Sequence, residues 1–275
     1  MQNKLLKNNH NQIYTFEEIK WNQWLAGIID GDGYFNIQKN GIAICEITMA
    51  LEDEPLLAQI KQKLGGRLTL KSGARAIRYR LAHKIGIIEL INRVNGFIIN
   101  SVRVPQFYNI CSNFNIKFIE PKPLTINNGY IAGFFDADGS ICISTTKNLK
   151  ENSIKSGIYG KIERLINSRG YHKLEISISN KYKENLVIFK DAFGFGTIRM
   201  INEKKHKTYI YFINYSDIPK FIEYTKNFPL RSSKKKRLWA LKQYFDLKRC
   251  KAHLASKDTI QHKAWVNFCK KWYKG

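Results

Sequence analysis

Two short segments of this chain decide its fold: Leu25-Ala-Gly-Ile-Ile-Asp-Gly-Asp-Gly33 and Ile131-Ala-Gly-Phe-Phe-Asp-Ala-Asp-Gly139. They are offset by 106 residues and share their small residues, their apolar residues and both aspartates. Two more matches follow in the same order, at offsets of 129 and 131: Glu46–Met49 with Glu175–Ile178, and Leu81–Phe97 with Phe212–Phe228. Three ordered matches indicate an internal duplication. The growing offset predicts an insertion of 23 residues in the second copy, a long hairpin or loop around 145–171.

Both copies predict the same order of elements. A short apolar helix (24–30 or 130–136) is followed by two strands, a helix, two more strands and a closing helix (87–94 or 218–225). The expected class is α+β, with two pseudo-symmetric αββαββα repeats. We expect an N-terminal extension, a first repeat, a linker, a second repeat and a basic C-terminal helix, over residues 1–21, 22–112, 113–128, 129–250 and 251–275.

The composition favours a polyanionic partner. The 275 residues carry 46 basic and 22 acidic side chains, a net charge of +24, and 44% of them are hydrophobic. Nucleic acid is the first candidate partner and an anionic membrane surface the second. No apolar run reaches the roughly 18 residues that span a bilayer, and residues 1–11 lack the apolar centre of a signal peptide. We therefore expect a soluble protein with no membrane partner.

The cysteines and histidines argue against zinc and disulfides. Five cysteines without a Cys-x-x-Cys pair, and six histidines without ligand spacing, predict buried, reduced thiols. The chain is also rich in Ile, Lys and Asn, whose codons are rich in A and T. That bias indicates an organellar location, and we expect the mitochondrion rather than the chloroplast.

Two pairs of aspartates stand where helix stability disfavours them. Asp30 with Asp32, and Asp136 with Asp138, fall at helix C-termini, where negative charge costs about 0.3 to 1 kcal/mol. A solvated Asp-Gly turn is one alternative. A calcium loop is another, although apolar residues follow where further oxygen ligands are needed.

Small residues on the same helices favour a third interpretation of these aspartates. Each helix carries three of them at matching positions, and such positions allow two helix backbones to approach closely; they are Ala26, Gly27 and Gly31, and Ala132, Gly133 and Ala137. If these faces pack together, the helix ends meet and two aspartates converge. Converging carboxylates in a basic protein indicate a divalent-metal site suited to Mg²⁺.

The two segments resemble the LAGLIDADG motif, and the chain resembles a monomeric, two-repeat, intron-encoded LAGLIDADG homing endonuclease. The first segment matches the motif at seven of nine positions and the second at six. The resemblance implies that the paired motif helices form the interface between the halves. It also implies that the antiparallel sheets form saddles on double-stranded DNA with a long, asymmetric target site.

The resemblance assigns roles to particular residues. It implies that Asp32 and Asp138 bind two or three Mg²⁺ ions, for which Mn²⁺ or Ca²⁺ can substitute, and that the carbonyls of Gly31 and Ala137 also contact metal. Asp30 and Asp136 are expected to be structural.

Three more residues receive catalytic roles from the resemblance. Aligning 97–103 with 228–234 implies that Arg103 and Lys234, with Lys236 as a neighbour, reach the cleavage pocket, although a solvated helix start is an alternative. A water-positioning residue maps to Asn180. Its first-copy counterpart, Leu51, is flanked by Glu52 and Asp53 and departs from the family pattern.

Alternation along the strands predicts an outward polar face in each half. A polar outer face on a half-buried sheet is the alternative, but these residue types also contact base edges and phosphates. The residues expected to bind DNA are Tyr34, Asn36, Gln38, Thr48, Arg67, Thr69, Lys71, Arg78, Arg80, Ser140, Ser144, Lys173, Ser177, Arg199, Tyr209 and Tyr211.

These features favour a site-specific, Mg²⁺-dependent DNA endonuclease. An RNA maturase that assists splicing of its own intron, or a non-catalytic DNA-binding protein, could use the same scaffold. Both alternatives are expected to lose the metal-site acids more readily. Retention of Asp32 and Asp138 therefore favours cleavage and leaves a dual role open.

Overall fold

The computed structural model describes residues 6–7, 13–145, 155–203 and 206–274. A small ribbon, β1 with β2, precedes the first repeat. The elements up to the linker are β1 (Leu6–Lys7), β2 (Ile13–Tyr14), α1 (Phe16–Asp32), β3 (Gly33–Ile37), β4 (Ala43–Ala50), α2 (Glu54–Leu64), β5 (Arg67–Leu70), β6 (Ala76–Leu81), α3 (Lys84–Val94) and α4 (Arg103–Asn113).

The second repeat has the same order with one helix added after its first strand. Its elements, with the two helices that follow, are α5 (Tyr130–Asp138), β7 (Gly139–Thr145), α6 (Gly157–Ile166), β8 (His172–Asn180), α7 (Glu184–Phe193), β9 (Thr197–Glu203), β10 (His206–Ile213), α8 (Ile218–Asn227), α9 (Lys234–Arg249) and α10 (Ile260–Lys274).

Each repeat builds one four-stranded antiparallel sheet. The strand orders are β3-β4-β6-β5 and β7-β8-β10-β9, so the strand after each motif helix lies at a sheet edge. Alternate residues such as Phe35, Cys45 and Leu81 are buried beneath the helices. The predicted α+β class with two pseudo-symmetric repeats is confirmed.

Helix α1 is longer than the sequence pattern predicts. It starts eight residues before Trp24 because Thr15 and Glu18 form a capping box, in which each side chain bonds the other residue's backbone N–H. The helix is buried on several sides, from Trp21 to Asp30, so its residues do not show the one-sided apolar periodicity that marks a surface helix.

The motif helices α1 and α5 form the central seam of the molecule. A Cβ atom on Gly27 would overlap the carbonyl of Tyr130, and one on Gly133 would overlap the carbonyl of Trp24. The two backbones are therefore in direct contact, as the stripe of small residues predicts. A larger side chain at either glycine would collide with main-chain atoms, which cannot rotate away.

The insertion in the second repeat differs from the expected hairpin or loop. Over its described part it contains α6, whose buried Ile162 and Leu165 share one helical face and pack towards α10. The prediction was wrong there because it followed the Lys-, Ser- and Gly-rich composition and overlooked the helical spacing of Ile158, Ile162 and Leu165. Residues 146–154 of the predicted insertion lie outside the described residues.

The strand register also corrects one sequence match. Gly33 pairs with Ile47 and Gly139 pairs with Ile178, so those two isoleucines occupy equivalent positions. Glu46 thus corresponds to Ser177 rather than to Glu175. A slip of two residues preserves the inward and outward alternation of a strand, so the apolar pattern cannot detect it.

All five cysteines are free thiols. Cys45, Cys111 and Cys269 are buried as expected, whereas Cys142 is half-buried and Cys250 is exposed. Burial raises the pKa of Cys111 to about 12, so its thiol stays protonated. Within the described ranges, no helix is both long and apolar enough to cross a membrane.

Candidate active site at the junction of the two halves

The last turns of α1 and α5 bring two carboxylates together. Gly31 faces Ala137 so closely that a Cβ on Gly31 would overlap the Ala137 Cβ and lie 3.6 Å from Asp138 Oδ2. Burial, followed by the charge of Asp138, raises the pKa of Asp32 to about 7. Burial also raises the pKa of Asp138 to about 6. The sequence prediction that two aspartates converge therefore agrees with the geometry.

The other two motif aspartates support the loops behind the site. Asp30 Oδ2 accepts the N–H groups of Ile99 and Asn100 at 2.7 and 2.9 Å. Asp136 accepts those of Arg231 and Ser232 at 2.8 and 3.0 Å. These side chains fix the loops that lead into α4 and α9.

The same two aspartates also join the halves. Tyr130 of the second half donates its hydroxyl to Asp30 at 2.6 Å. Trp24 of the first half donates its indole N–H to Asp136 at 2.9 Å. Each buried carboxylate therefore accepts hydrogen bonds from both repeats.

Lys234, at the start of α9, places its ammonium group against the end of α5. Its Nζ donates to the carbonyls of Phe135, Asp136 and Ala137 at 3.2, 2.7 and 2.5 Å. Those carbonyls carry the partial negative charge of a helix C-terminus, which favours a cation there. The charge of Lys234 opposes the rise in pKa of both Asp32 and Asp138. One expected metal contact, the Ala137 carbonyl, is thus also an acceptor for Lys234.

Arg103, the first residue of α4, also acts on both central aspartates. Its charge lowers the pKa of Asp32 and of Asp138, less than Lys234 does. Its Nε is buried and makes no hydrogen bond with the described part of the chain. Because Asn100 and Ser232 make equivalent bonds, Lys234 corresponds in backbone position to Val102 and not to Arg103. The two basic groups therefore reach the site from loop positions that differ by one residue between the two halves.

Asn180 ends β8 and shapes the turn into α7. Its Oδ1 accepts the Tyr182 N–H at 3.0 Å and the Asn185 side-chain amide at 3.2 Å. The strand register makes Met49, and not Leu51, the first-half counterpart of Asn180, because Ile47 and Ile178 occupy equivalent positions. The prediction that paired Leu51 with Asn180 was therefore wrong by two residues. Leu51 is exposed, whereas Asp53 is buried and its charge raises the pKa of Asp32. Sequence reasoning named Asp53 only as a neighbour of Leu51 and gave it no role.

The donor set fits a divalent cation. Asp32 and Asp138 offer carboxylate oxygens, and the carbonyls of Gly31 and Ala137 offer neutral ones, which Mg²⁺ prefers. The raised pKa of both acids indicates that their negative charge is under-compensated. Within the ranges that the structure describes, no group of three or more His, Cys, Asp or Glu side chains could hold a metal. Asp32 and Asp138 are the acids that would supply charged ligands to such a cation.

Most of the predicted DNA-facing residues lie on the open sides of the sheets. Six of them are half-buried: Gln38, Thr48, Arg78, Arg80, Ser144 and Ser177. The exposed ones are Tyr34, Asn36, Arg67, Thr69, Lys71, Ser140, Lys173 and Arg199.

The two arginines of β6 are held in place by an acid on the neighbouring strand. Glu46 lies beneath Arg80 and Arg78, with N–O distances of 2.9 and 3.7 Å. The Glu46 side chain is only 6% exposed, and Arg80 donates a hydrogen bond to it. Arg78 lies farther from Glu46 and is 39% exposed.

The prediction for β10 was wrong. Tyr211 is fully buried, and its hydroxyl donates to the Phe195 carbonyl at 2.9 Å. Tyr79 makes the equivalent bond to Gly65 at 3.0 Å, so Tyr211 repeats an inward residue of the first half. Tyr209 is half-buried and packs against the core. A shift of one position reverses the face of every side chain in a strand.

Arg199 keeps an outward position on β9. Its guanidinium lies over the Phe212 ring, 5.6 Å from the centroid. Phe212, rather than Tyr211, is therefore the aromatic residue of β10 on the open face.

The paired helices, twin sheets and converged aspartates define a family. A family model described as LAGLIDADG endonuclease matches residues 25–114 and 131–245. The chain belongs to this family, as the motif resemblance predicts.

Curated relatives come from introns. The chain is 41% identical over 271 residues to an intron-encoded RNA maturase, bI4, of Saccharomyces cerevisiae, covering 98% of this chain. It is 39% identical over 98% of its length to a probable intron-encoded endonuclease, aI2, of Debaryomyces hansenii. It spans about two fifths of those proteins, 39% in each case. An intron-encoded DNA endonuclease, ai2a, of Dictyostelium discoideum is 31% identical, with 78% of its length covered.

Solved structures share the fold. The LAGLIDADG meganuclease I-AabMI, bound to uncleaved DNA, has a TM-score of 0.58 at 20% identity, over 92% of this chain and 98% of its own. The homing endonuclease I-LtrWI, bound to target DNA, has a TM-score of 0.61 at 16% identity, over 93% and 97%.

Proposed function

We propose that this protein is a site-specific endonuclease that hydrolyses one phosphodiester on each strand of a long, asymmetric DNA target. The observation that carries the proposal is the convergence of Asp32 and Asp138, with Lys234 and Arg103 beside them, between two sheets with polar, basic outer faces. A protein that only binds DNA has no need for two buried acids whose pKa is raised.

Two or three divalent ions, Mg²⁺ with Mn²⁺ or Ca²⁺ as substitutes, would be held by Asp32 and Asp138 with the carbonyls of Gly31 and Ala137. Such ions, when bound, activate water and stabilise charge on the phosphate and the leaving 3′ oxygen. The side chains of the chain itself contribute binding and orientation. Lys234 and Arg103 bring positive charge to the reacting phosphates, and Asn180 orients water near the second-half strands.

The partner we propose is double-stranded DNA, read in the major groove by both sheets. The net charge of +24 and the exposed Arg, Lys, Asn and Thr side chains support it. Ordered arginines such as Arg80 suit bidentate contacts with guanine. The two faces differ in sequence, so the target is expected to be asymmetric and a single chain suffices to bind it. The gene is expected in a mitochondrial intron, given its intron-encoded relatives and its AT-rich codon usage.

A second candidate function is assistance to splicing of the protein's own intron RNA. The specific observation is the 41% identity to a protein named as an RNA maturase. Retention of both central aspartates supports cleavage and is compatible with both activities in one chain.

Selection of cleaved sequences from a random DNA library in Mg²⁺, at 100 mM and 200 mM salt, tests the proposal. We expect one long consensus, with cleavage lost on chelation by EDTA and lost in Asp32→Asn. Binding without cleavage by the wild-type protein would contradict the enzymatic proposal. In that case, acceleration of splicing of the host intron RNA would support the second candidate.

A further inference from the structure

Each half makes one hydrogen bond to the backbone of the loop that carries the basic residue of the other half. Asp53 Oδ1, in the first half, accepts the N–H of Ser233 at 2.6 Å. Asn185 Oδ1, in the second half, accepts the N–H of Ser101 at 3.0 Å. Both accepting side chains are buried, with 6% and 3% of their surface exposed.

The two contacts are equivalent under the internal pseudo-symmetry. Ser101 directly follows Asn100, whose N–H binds Asp30, and Ser233 directly follows Ser232, whose N–H binds Asp136. The same loop position is therefore fixed twice: by the motif aspartate of its own half and by a side chain of the opposite half.

Asp53 has no competing task in its own helix. It occupies the residue before α2, where an aspartate commonly caps the helix, yet its side chain makes no capping hydrogen bond. Its Oδ1 reaches across the junction instead. A further contact beside it, from Arg231 Nη1 to Gln59 Oε1 at 3.2 Å, fastens the same loop to α2.

We propose that Asp53 is a positioning residue that holds Lys234 at the active site, and that Asn185 performs the same task for the loop before Arg103. The inference rests on the proposed endonuclease function. Lys234 is the next residue after Ser233, and its Nζ lies against the end of α5. Fixing the Ser233 backbone therefore fixes where the lysine side chain starts. A misplacement of about 1 Å near reacting groups can cost roughly 100-fold in rate.

The two positioning side chains differ in one respect. Asn185 also donates, through Nδ2, to Asn180 at 3.2 Å and to Asn100 at 3.3 Å. The second-half contact therefore links Asn180 to the loop before Arg103. Asp53 only accepts, but its charge also acts on Asp32 and Lys234, so the amide variant is needed to separate the contact from the charge.

Four variants separate an acceptor role from other roles. Asp53→Ala removes the acceptor, whereas Asp53→Asn keeps Oδ1 and removes the charge. Ser233→Pro removes the donating N–H from the other side, at a residue whose φ of −55° suits proline. Glu52→Ala is the matched control, because this neighbouring acid is exposed and forms an ion pair with Arg75, at 4.0 Å.

Hydrogen–deuterium exchange of the full chain tests the contact without requiring activity. We expect faster exchange across residues 229–236 in Asp53→Ala and in Ser233→Pro, and wild-type exchange in Asp53→Asn and Glu52→Ala. Unchanged exchange in both Asp53→Ala and Ser233→Pro would overturn the proposal. Either variant suffices if the other fails to fold.

Cleavage of a plasmid carrying the selected target then tests the consequence. Asp53→Ala and Ser233→Pro should lower kcat by about 10- to 100-fold with KM changed less than about twofold, and Asp53→Asn should restore most of the rate. Loss of rate in Asp53→Asn equal to that in Asp53→Ala would overturn the positioning role. Failure of the wild-type protein to cleave any selected DNA would refute the endonuclease function alone, since the exchange result stands independently.

Discussion

At the scale of single residues, Asp32 and Asp138 are charged groups held where burial opposes their charge. Burial raises the pKa of both, and the charge of Asp138 raises that of Asp32 further. Lys234 and Arg103 offset this only in part. The arrangement is unfavourable for folding and favourable for holding a cation, which is a common compromise at catalytic sites.

Replacing Asp32 or Asp138 by Asn should abolish cleavage and leave DNA binding measurable. Each amide keeps the size of the side chain and removes the charge that a shared metal cluster requires. Strand cleavage in Mg²⁺ and fluorescence anisotropy on the same target in Ca²⁺ measure the two effects. Asp258→Asn, at an exposed site, is the control. Cleavage at the wild-type rate by either variant would show that this site takes no part in cleavage.

The sequence reveals residues of this site only where they lie in a local pattern. Asp32, Asp138, Gly31 and Ala137 belong to one repeated segment, so their convergence follows from the segment itself. Asp53 acts on Ser233 across 180 residues, and no periodicity connects them. Arg103 and Lys234 were identified by alignment, but their equivalence is off by one residue because they reach the site from successive backbone positions.

At the scale of helices and strands, the close contact between α1 and α5 depends on two glycines, which have no side chain. Gly27 and Gly133 each face a main-chain carbonyl of the opposite helix. Backbone atoms cannot move aside as side chains do, so any enlargement separates the helices and with them the two aspartates.

Gly27→Leu or Gly133→Leu should therefore unfold the protein or separate its halves. Overpacking a core lowers stability by about 1 to 3 kcal/mol. We expect the upper part of that range here, because the seam has no room for a larger side chain. Thermal melting and the elution volume on size exclusion report the change. Ala58→Leu, at an exposed position of α2, should melt as the wild type does. An unaltered melting temperature in the glycine variants would show that these faces are not packed together.

The added helices α6, α9 and α10 meet the second sheet at a buried histidine. His172, the first residue of β8, stacks on Trp265 of α10 with ring centroids 5.2 Å apart. Its Nδ1 lies 2.8 Å from Ser168 Oγ. Burial, followed by the charges of Lys248 and His253, lowers the pKa of His172 to about 4.

His172 should lower the stability of the protein as the pH drops from about 6.5 to about 4, whereas Asp30, Asp32 and Asp138, whose pKa burial raises, act in the opposite direction. The unfolded chain binds a proton at His172 in this window and the folded chain does not, so acid favours unfolding by up to about 3 kcal/mol. Urea unfolding at pH 4.5 and 7.5 should show that His172→Gln is more stable in acid, relative to its own stability at pH 7.5, than the wild type is. His262→Gln, at a half-buried position of α10, the helix that carries Trp265, serves as the control. Equal pH effects in all three proteins would exclude His172 as the group responsible.

Element order follows from the sequence, whereas register and small helices do not. The repeat predicts both sheets because alternation and helical spacing survive in each copy. Tyr211 was placed on the wrong face because a tyrosine suits either side of a strand, and only its bond to Phe195 decides which. Helix α6 was missed because the composition of the insertion was given more weight than the helical spacing of its apolar residues.

At the scale of the whole molecule, basic charge extends beyond the sheets. Helix α9 packs through Leu238, Leu241 and Tyr244, while Lys242 and Arg249 are exposed. Arg249 pairs with Asp246 at 2.9 Å, and such an exposed pair contributes only about 0 to 1 kcal/mol. A DNA phosphate can therefore replace the aspartate.

Replacing Lys242 and Arg249 by Gln should flatten the salt dependence of DNA binding by up to about two units in log K against log salt. The preferred sequence should stay the same, because phosphate contacts carry no base information. Fluorescence titrations between 50 and 300 mM salt measure the slope. Lys190→Gln with Lys226→Gln, on α7 and α8, is the matched control. An unchanged slope in the α9 variant would indicate that the exposed face of α9 is solvated and does not contact DNA.

The seam of glycines also has a consequence for how such a protein can change over generations. Helices α1 and α5 touch through main-chain atoms at their glycines, while the outward strand faces take no part in that contact. Mutations can therefore accumulate on one saddle without disturbing the joint or the opposite saddle. A lineage can change the outward face of one half at a time, and the shared centre between the halves is inherited intact.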